Sequence, residues 1–246
     1  MDAAGPRAYQ KGLGGIMAFG KTQSDYCYEG TDVLKNQFGL TKQVELQIAE
    51  SFVSRRREAA ILSNPSIAIN RFGANLLSNI HKALFDETYS WAGQARTEAI
   101  AKDGTAFYPP ENIISALKEA FNHIKEQNNY KGQSLGQLVL NLAATHATLN
   151  QIHAFREGNG RTNRLFMTLL ARYNGYDLDY SLVPKAQQIQ ADKQASNGDC
   201  TALALVYASI ISPLETKQKI HIIGGSKCTD LLTPYISPKK TKTKEK

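Results

Sequence analysis

Hydrophobic and polar positions along most of this chain recur with a helical period. Between Thr41 and about Leu62, apolar contacts come from Val44, Leu46, Ile48, Phe52 and the run Ala59 to Leu62, while Arg55 to Arg57 form a charged face. Thr41 is placed to cap that helix. Phe72, Leu76, Leu77, Ile80 and Leu84 follow i, i+4, i+5, i+8 and i+12, an amphipathic helix preceded by a turn and new cap at Asn64-Pro65-Ser66. His81 lies beside this apolar face and reads as a packed or surface histidine, not a ligand. Ile113, Leu117, Ala120, Phe121 and Ile124 predict a helix starting at Glu111, after Pro109 and Pro110. Ser134 caps the next helix, whose positions Leu135, Leu138, Val139, Leu142, Leu149 and Ile152 make it the buried centre, with Ala143, Ala144 and Ala147 permitting close packing. On it, His146 reads as a hydrogen-bonded core residue, because its spacing to His153 and Glu157 fits no zinc motif.

Downstream, Arg161 to Tyr173 packs through Leu165, Phe166, Leu169 and Leu170 and stops at Asn174-Gly175. Pro184 opens a helix to about Ser196, and Asp199 caps a last one through Leu203, Val206, Tyr207 and Ile210. Upstream, Thr31-Asp32 would cap a short helix ending before Gly39. One stretch has a different period: Thr97 to Ala101 and Thr105 to Tyr108 are β-prone runs around Lys102-Asp103-Gly104, a hairpin signal. The expected architecture is mainly α, six to eight helices around residues 134–153 plus one β-hairpin, without the strand–helix alternation of a parallel sheet. The chain divides into a Gly-rich, mobile segment 1–25, a domain 26–213, a small appendage or linker 214–237 and a basic tail 238–246.

Composition changes this picture little. Hydrophobic residues at 42% and charged ones at 21% fit an ordinary globular protein of 246 residues. No apolar stretch is long enough to span a membrane, and no signal peptide is visible. Cys27, Cys200 and Cys228 form no metal pattern and read as free thiols in a reducing compartment. The net charge of +7 suggests nucleic acid until it is located: the last nine residues carry five lysines and one glutamate. The body retains only about +3, too little for a nucleic-acid surface.

The chemistry gathers in His153-Ala154-Phe155-Arg156-Glu157-Gly158-Asn159-Gly160-Arg161-Thr162-Asn163-Arg164. His153 can move a proton near neutral pH. Glu157 can hold a hard cation such as Mg2+ beside a substrate phosphate. Gly158, Asn159 and Gly160 lead into a helix whose positive end offers backbone N–H groups to an anion. Arg161 and Arg164, three apart, lie on one face and can fork onto phosphate oxygens. Taken singly, Gly-Asn-Gly is a common turn and paired arginines are usually a solvated face; together they point to chemistry on a nucleotide.

This run resembles the signature of Fic-domain proteins, His-Pro-Phe-x-Asp/Glu-Gly-Asn-Gly-Arg-x-x-Arg, with Ala154 in place of the proline. The resemblance extends from about Tyr26 to Ser212 and includes the Trp91-Ala92-Gly93 turn. It implies the AMP-transferring branch, similar to stand-alone toxin-like or Bartonella effector-type members, acting on a Tyr, Thr or Ser hydroxyl of a target protein with ATP and Mg2+. By that resemblance His153 is the base, Glu157 the metal ligand, and Gly158, Asn159, Gly160, Arg161 and Arg164 the phosphate site. Lys102, Asp103 and Gly104 are the flap that aligns the target, and Asn197 and Asp199 border the adenine. Ser54-Arg55-Arg56-Arg57-Glu58-Ala59 partly resembles the family's inhibitory Ser/Thr-x-x-x-Glu-Gly/Asn motif, but Ala59 breaks it and a body helix is expected there in any case. A separate small antitoxin-type protein is then a candidate source of restraint, with Glu58 as the internal alternative. The expected location is the bacterial cytoplasm, with secretion into a host as an alternative. The alternative function is a catalytically silent nucleotide- or protein-binding module.

Overall fold

The computed structural model describes residues 23–64, 66–69, 71–102, 105–215 and 219–222. Within them the helical periods become α1 (Gln43–Ser63), α2 (Ala74–Phe85), α3 (Ile113–Glu126), α4 (Leu135–Ile152), α5 (Asn159–Tyr173), α6 (Lys185–Ser196) and α7 (Thr201–Ile210). Three two-stranded sheets accompany them: β1 (Ser66–Ile69) with β6 (Lys219–Ile222), β2 (Ala101–Lys102) with β3 (Thr105–Ala106), and β4 (Tyr176–Leu178) with β5 (Ile211–Pro213). The fold is mainly α, as the periodicity predicts. No helix among the described residues is long and apolar enough to cross a membrane. The Gly-rich start to residue 22, the basic tail and Cys228 lie outside the described residues.

Two helices carry the architecture. α4 starts where Ser134 accepts the Gln137 N–H at 3.3 Å and packs against α3, α5, α6 and α7. α5 is wrapped more completely: Leu165, Phe166, Met167, Leu169, Leu170 and Ala171 have no exposed surface. Leu135 and Leu140 of α4, by contrast, face solvent. Packing α2, α4, β4 and β6 around α5 makes it the more deeply enclosed helix. The 153–158 loop joins these two rigid helices, so its ends are fixed.

Several local expectations change. Residues 24–40 form turns around an isolated Cys27–Leu34 bridge, not a short helix. Gly30 at φ 70° reverses the chain, and the Asn36 side chain bonds the Leu34 and Leu40 carbonyls, offering the backbone an alternative to helix. α1 begins after Lys42 without a side-chain cap, so Thr41 does not cap it. Its Val44, Ile48 and Phe52 are exposed while Glu50 and Ser54 are buried. Beside the buried Leu46, Val53 and Ile61, these two polar side chains meet Arg161 of α5. After the turn in which Asn64 accepts the Ser66 N–H at 3.0 Å, Ser66 enters a strand instead of capping a helix. That strand pairs in parallel with β6, Ile67 opposite Ile220, and both side chains are buried.

Candidate functional site

His153 terminates α4 in the left-handed conformation, φ 49° and ψ 59°, while its N–H still bonds the Leu149 carbonyl at 3.1 Å. For a residue with a Cβ this backbone costs about 1–2 kcal/mol, which the surroundings must hold in place. Arg96 supplies much of that restraint. It is 2% exposed and its guanidinium donates to the carbonyls of His153 (2.8 Å), Glu98 (2.7 Å) and Tyr108, while its N–H bonds the Ala154 carbonyl at 2.9 Å. The imidazole is set from two sides. Nδ1 donates to the Asn150 carbonyl at 3.1 Å, so the proton sits there and Nε2 carries the lone pair. The Phe107 ring stacks on it with centroids 3.7 Å apart and planes 13° off parallel.

The loop is shaped from below by His81 of α2. Its Nδ1 accepts the Gly93 N–H at 2.8 Å, so Nε2 donates to the Glu157 carbonyl at 2.9 Å, and the ring stacks on Phe155 at 3.9 Å. Burial pushes its pKa down to about 3, leaving it neutral. Asn159 spans the same loop, its Oδ1 taking the Phe155 N–H at 2.9 Å and its Nδ2 donating to the Phe155 carbonyl at 2.7 Å. Gly158 caps α5 at φ 81°, and a Cβ there would lie 2.5 Å from the Phe85 ring. The first N–H groups of α5 have no intrahelical acceptor and present the positive helix end to the loop's mouth.

Charged side chains ring that mouth. The Glu157 side chain is 47% exposed, with Oε1 taking the Gly158 N–H at 2.8 Å. Arg161 Nη2 lies 3.7 Å from Glu157 and bonds Glu50 of α1, while Nη1 donates to Ser54 Oγ at 3.0 Å. Arg164 sits 5.9 Å over the Tyr180 ring, and a Cβ on Gly160 would lie 3.3 Å from its Nη1. Glu58 of α1 faces these arginines: burial raises its carboxyl pKa, and the charges of Arg164 and Arg161 oppose the rise.

The fold therefore brings His153, Glu157, Gly158, Gly160, Arg161 and Arg164 to one helix–loop–helix mouth, while the Asn159 side chain is buried and bonded to Phe155. Lys102 lies in β2 of the hairpin, whose return strand leads to Phe107; Asp103 and Gly104 lie outside the described residues. Asn197 and Asp199 sit in the exposed turn between α6 and α7, where Asp199 takes the Thr201 N–H at 2.9 Å. Sequence reasoning missed Arg96, Phe107 and Glu50; it left His81 as packed or surface, and the structure buries it. Glu50 and Ser54 left a faint trace, polar residues at i and i+4 within an apolar run. Arg96 left none.

His153, in a left-handed backbone at the end of α4, and the N-terminus of α5 meet across one short loop, so this is a helical protein built around one helix–loop–helix. The chain belongs to the Fic/DOC family, whose sequence profile matches residues 71–171. It is 32% identical, over 77% of its length and 96% of the relative, to a probable protein adenylyltransferase of Sinorhizobium fredii. It is 28% identical, over 79% of its length and 95% of the relative, to a probable protein adenylyltransferase of Escherichia coli. Among solved structures it resembles the BepC effector of Bartonella tribocorum with bound AMPPNP (TM-score 0.71, 27% identity, 77% of this chain and 97% of that one). An ADP-bound Fic domain of a Bartonella quintana effector gives TM-score 0.70 at 26% identity, covering 78% of this chain and 96% of that one.

Proposed function

We propose that this protein is an adenylyltransferase that moves AMP from ATP to a hydroxyl side chain of a target protein. The observation that carries this reading is the tautomer of His153: with Nδ1–H held by the Asn150 carbonyl, Nε2 is the basic nitrogen, fixed beside the N-terminus of α5. The target hydroxyl oxygen attacks the α-phosphorus as its proton passes to Nε2. The new P–O bond forms while the bond to the β-phosphate bridging oxygen breaks, and pyrophosphate leaves. The N–H groups at the start of α5, with Arg161, stabilise the charge that develops on the phosphates, and Arg164 meets the γ-phosphate. Asn159 serves the same site by holding the loop to Phe155.

The half-exposed Glu157 carboxylate at a phosphate site is a donor set that suits Mg2+, which takes one or two carboxylates and completes its shell with phosphate oxygens and water. When bound there, the ion supplies charge neutralisation. The β2–β3 hairpin, with Lys102, Asp103 and Gly104, aligns the target by strand addition, and Asn197 and Asp199 border the adenine. The domain limits proposed are 26–213, with 214–237 as an appendage and 238–246 as a tail. Ala154 does not loosen the loop: it is buried, and its carbonyl is held by the Arg96 N–H. That favours an active enzyme over a silent module.

Restraint has two candidate sources. Glu58 faces Arg164 and Arg161 from α1, which supports an internal one; a small antitoxin-type partner is the other. We place the protein in the bacterial cytoplasm, with delivery into a host as the alternative, since its structural relatives include translocated effectors. The test compares ATP labelled at the α- or the γ-phosphate, incubated with purified protein, Mg2+ and lysate, with His153→Ala as control. Label should enter protein from the α-position only and vanish in the mutant. Transfer from the γ-position would make it a kinase and sink the proposal. A large rise in labelling for Glu58→Gly would make the inhibitor internal.

A further inference from the structure

Arg161 is held from outside the motif. Its Nη2 bonds Glu50 Oε1 and its Nη1 bonds Ser54 Oγ at 3.0 Å, both on the inward face of α1. Glu50 is 7% exposed, and its second oxygen takes the Tyr89 hydroxyl. The guanidinium also lies 4.7 Å over the Phe85 ring, so it is fixed at both amino groups and over an aromatic face. This arrangement is a poor source of stability, because burying two charges consumes most of what their attraction returns. It is a good source of direction: a guanidinium is planar, and binding two of its nitrogens to one helix sets both its place and its plane. Glu50 and Ser54 take up part of the inward face of the helix, beside Leu46, Val53 and Ile61, while Val44, Ile48 and Phe52 remain in solvent.

We infer that Glu50, assisted by Ser54, is a positioning residue that holds the Arg161 guanidinium where the nucleotide phosphates arrive. The inference rests on the nucleotide site proposed above. Its physical content is preorganisation: an arginine already aimed needs no rearrangement as charge develops, whereas a free one must be ordered each time. Tyr89 extends the device, since its hydroxyl fixes the carboxylate that fixes the arginine.

A double-mutant cycle tests it, read twice: as the Kd for ADP with Mg2+ by calorimetry, and as kcat/KM for transfer from α-labelled ATP. Glu50→Ala and Arg161→Ala should each lower both quantities about tenfold, and the double variant should be no worse than Arg161→Ala. Glu50→Gln, which keeps acceptors for Arg161 and the Tyr89 hydroxyl, should recover most of the loss. Equal losses from Glu50→Ala with and without Arg161 would overturn the inference, because the carboxylate would then act on something else. If Glu50→Ala melts too low to assay, the cycle is run with Ser54→Ala, which removes the other α1 bond to Arg161. Wild-type protein that neither binds ADP nor transfers AMP overturns the nucleotide site itself. Binding without transfer, persisting in Glu58→Gly, overturns only the proposed reaction, and the coupling is still read from Kd.

Discussion

Gly158 and Gly160 flank one residue and sit in different physical situations, so their alanine variants should separate folding from function. At Gly158 the backbone is left-handed, φ 81°, and a Cβ would lie 2.5 and 2.6 Å from two atoms of the Phe85 ring. That ring has no exposed surface and packs against His81, so it has nowhere to retreat. The backbone strain costs about 1–2 kcal/mol and the overpacking about 1–3 kcal/mol, roughly 2–5 kcal/mol together. In a chain of this size each kcal/mol lowers Tm by about 2–4 °C, so Gly158→Ala should melt about 4–20 °C lower by calorimetry. At Gly160 a Cβ meets only the end of the flexible Arg164 side chain, at 3.3 Å, within a helix that favours alanine. Gly160→Ala should therefore keep its Tm within about 2 °C and lose nucleotide affinity severalfold, as Arg164 is displaced. Equal melting shifts for the two variants would refute the reasoning, and so would a Gly158→Ala protein that melts like wild type.

Other outcomes follow from the groups that hold the loop. His81 titrates at about 3 when folded against 6.5 ordinarily, so protons bind the unfolded chain first. Its contribution to stability is complete above pH 6.5 and is lost as pH falls toward 3, up to roughly 4–5 kcal/mol. Urea unfolding should show this slope, and His81→Gln, which can still donate to Glu157 and accept from Gly93, should flatten it; an unchanged slope would exclude His81 as its origin. Arg96→Met strands the carbonyls of His153, Glu98 and Tyr108, and should cost about 3 kcal/mol or more and abolish transfer. Arg96→Lys should rescue little, because one ammonium cannot replace the fork. Phe107→Ala removes the ring stacked on His153 and should lower kcat about 2–10-fold with ADP affinity unchanged; a change in affinity alone would assign Phe107 to nucleotide binding instead.

The sequence by itself determined the helices and the chemistry of the loop. Apolar residues at i, i+3 and i+4 can be buried together only on a helix, so α2, α3, α5 and α7 were legible within a few residues. The twelve-residue run from His153 to Arg164 was legible for a related reason: base, carboxylate, glycine turn and arginines are adjacent in the chain, and local geometry alone brings them to one place. Short strands outside the β2–β3 hairpin were not legible. β1 and β4 are three or four residues long and owe their existence to partners far away in sequence, β6 and β5. Only the tertiary structure decided how the loop is held. His81, Arg96 and Phe107 reach it from 46 to 76 residues away, measured to His153 for Arg96 and Phe107 and to Glu157 for His81. Glu50 meets Arg161 across a separation of 111 residues. The α1 face shows the limit most clearly: Glu50 and Ser54 turn inward beside Leu46, Val53 and Ile61 while Val44, Ile48 and Phe52 face water, because Arg161 on α5 gives the two polar groups a partner.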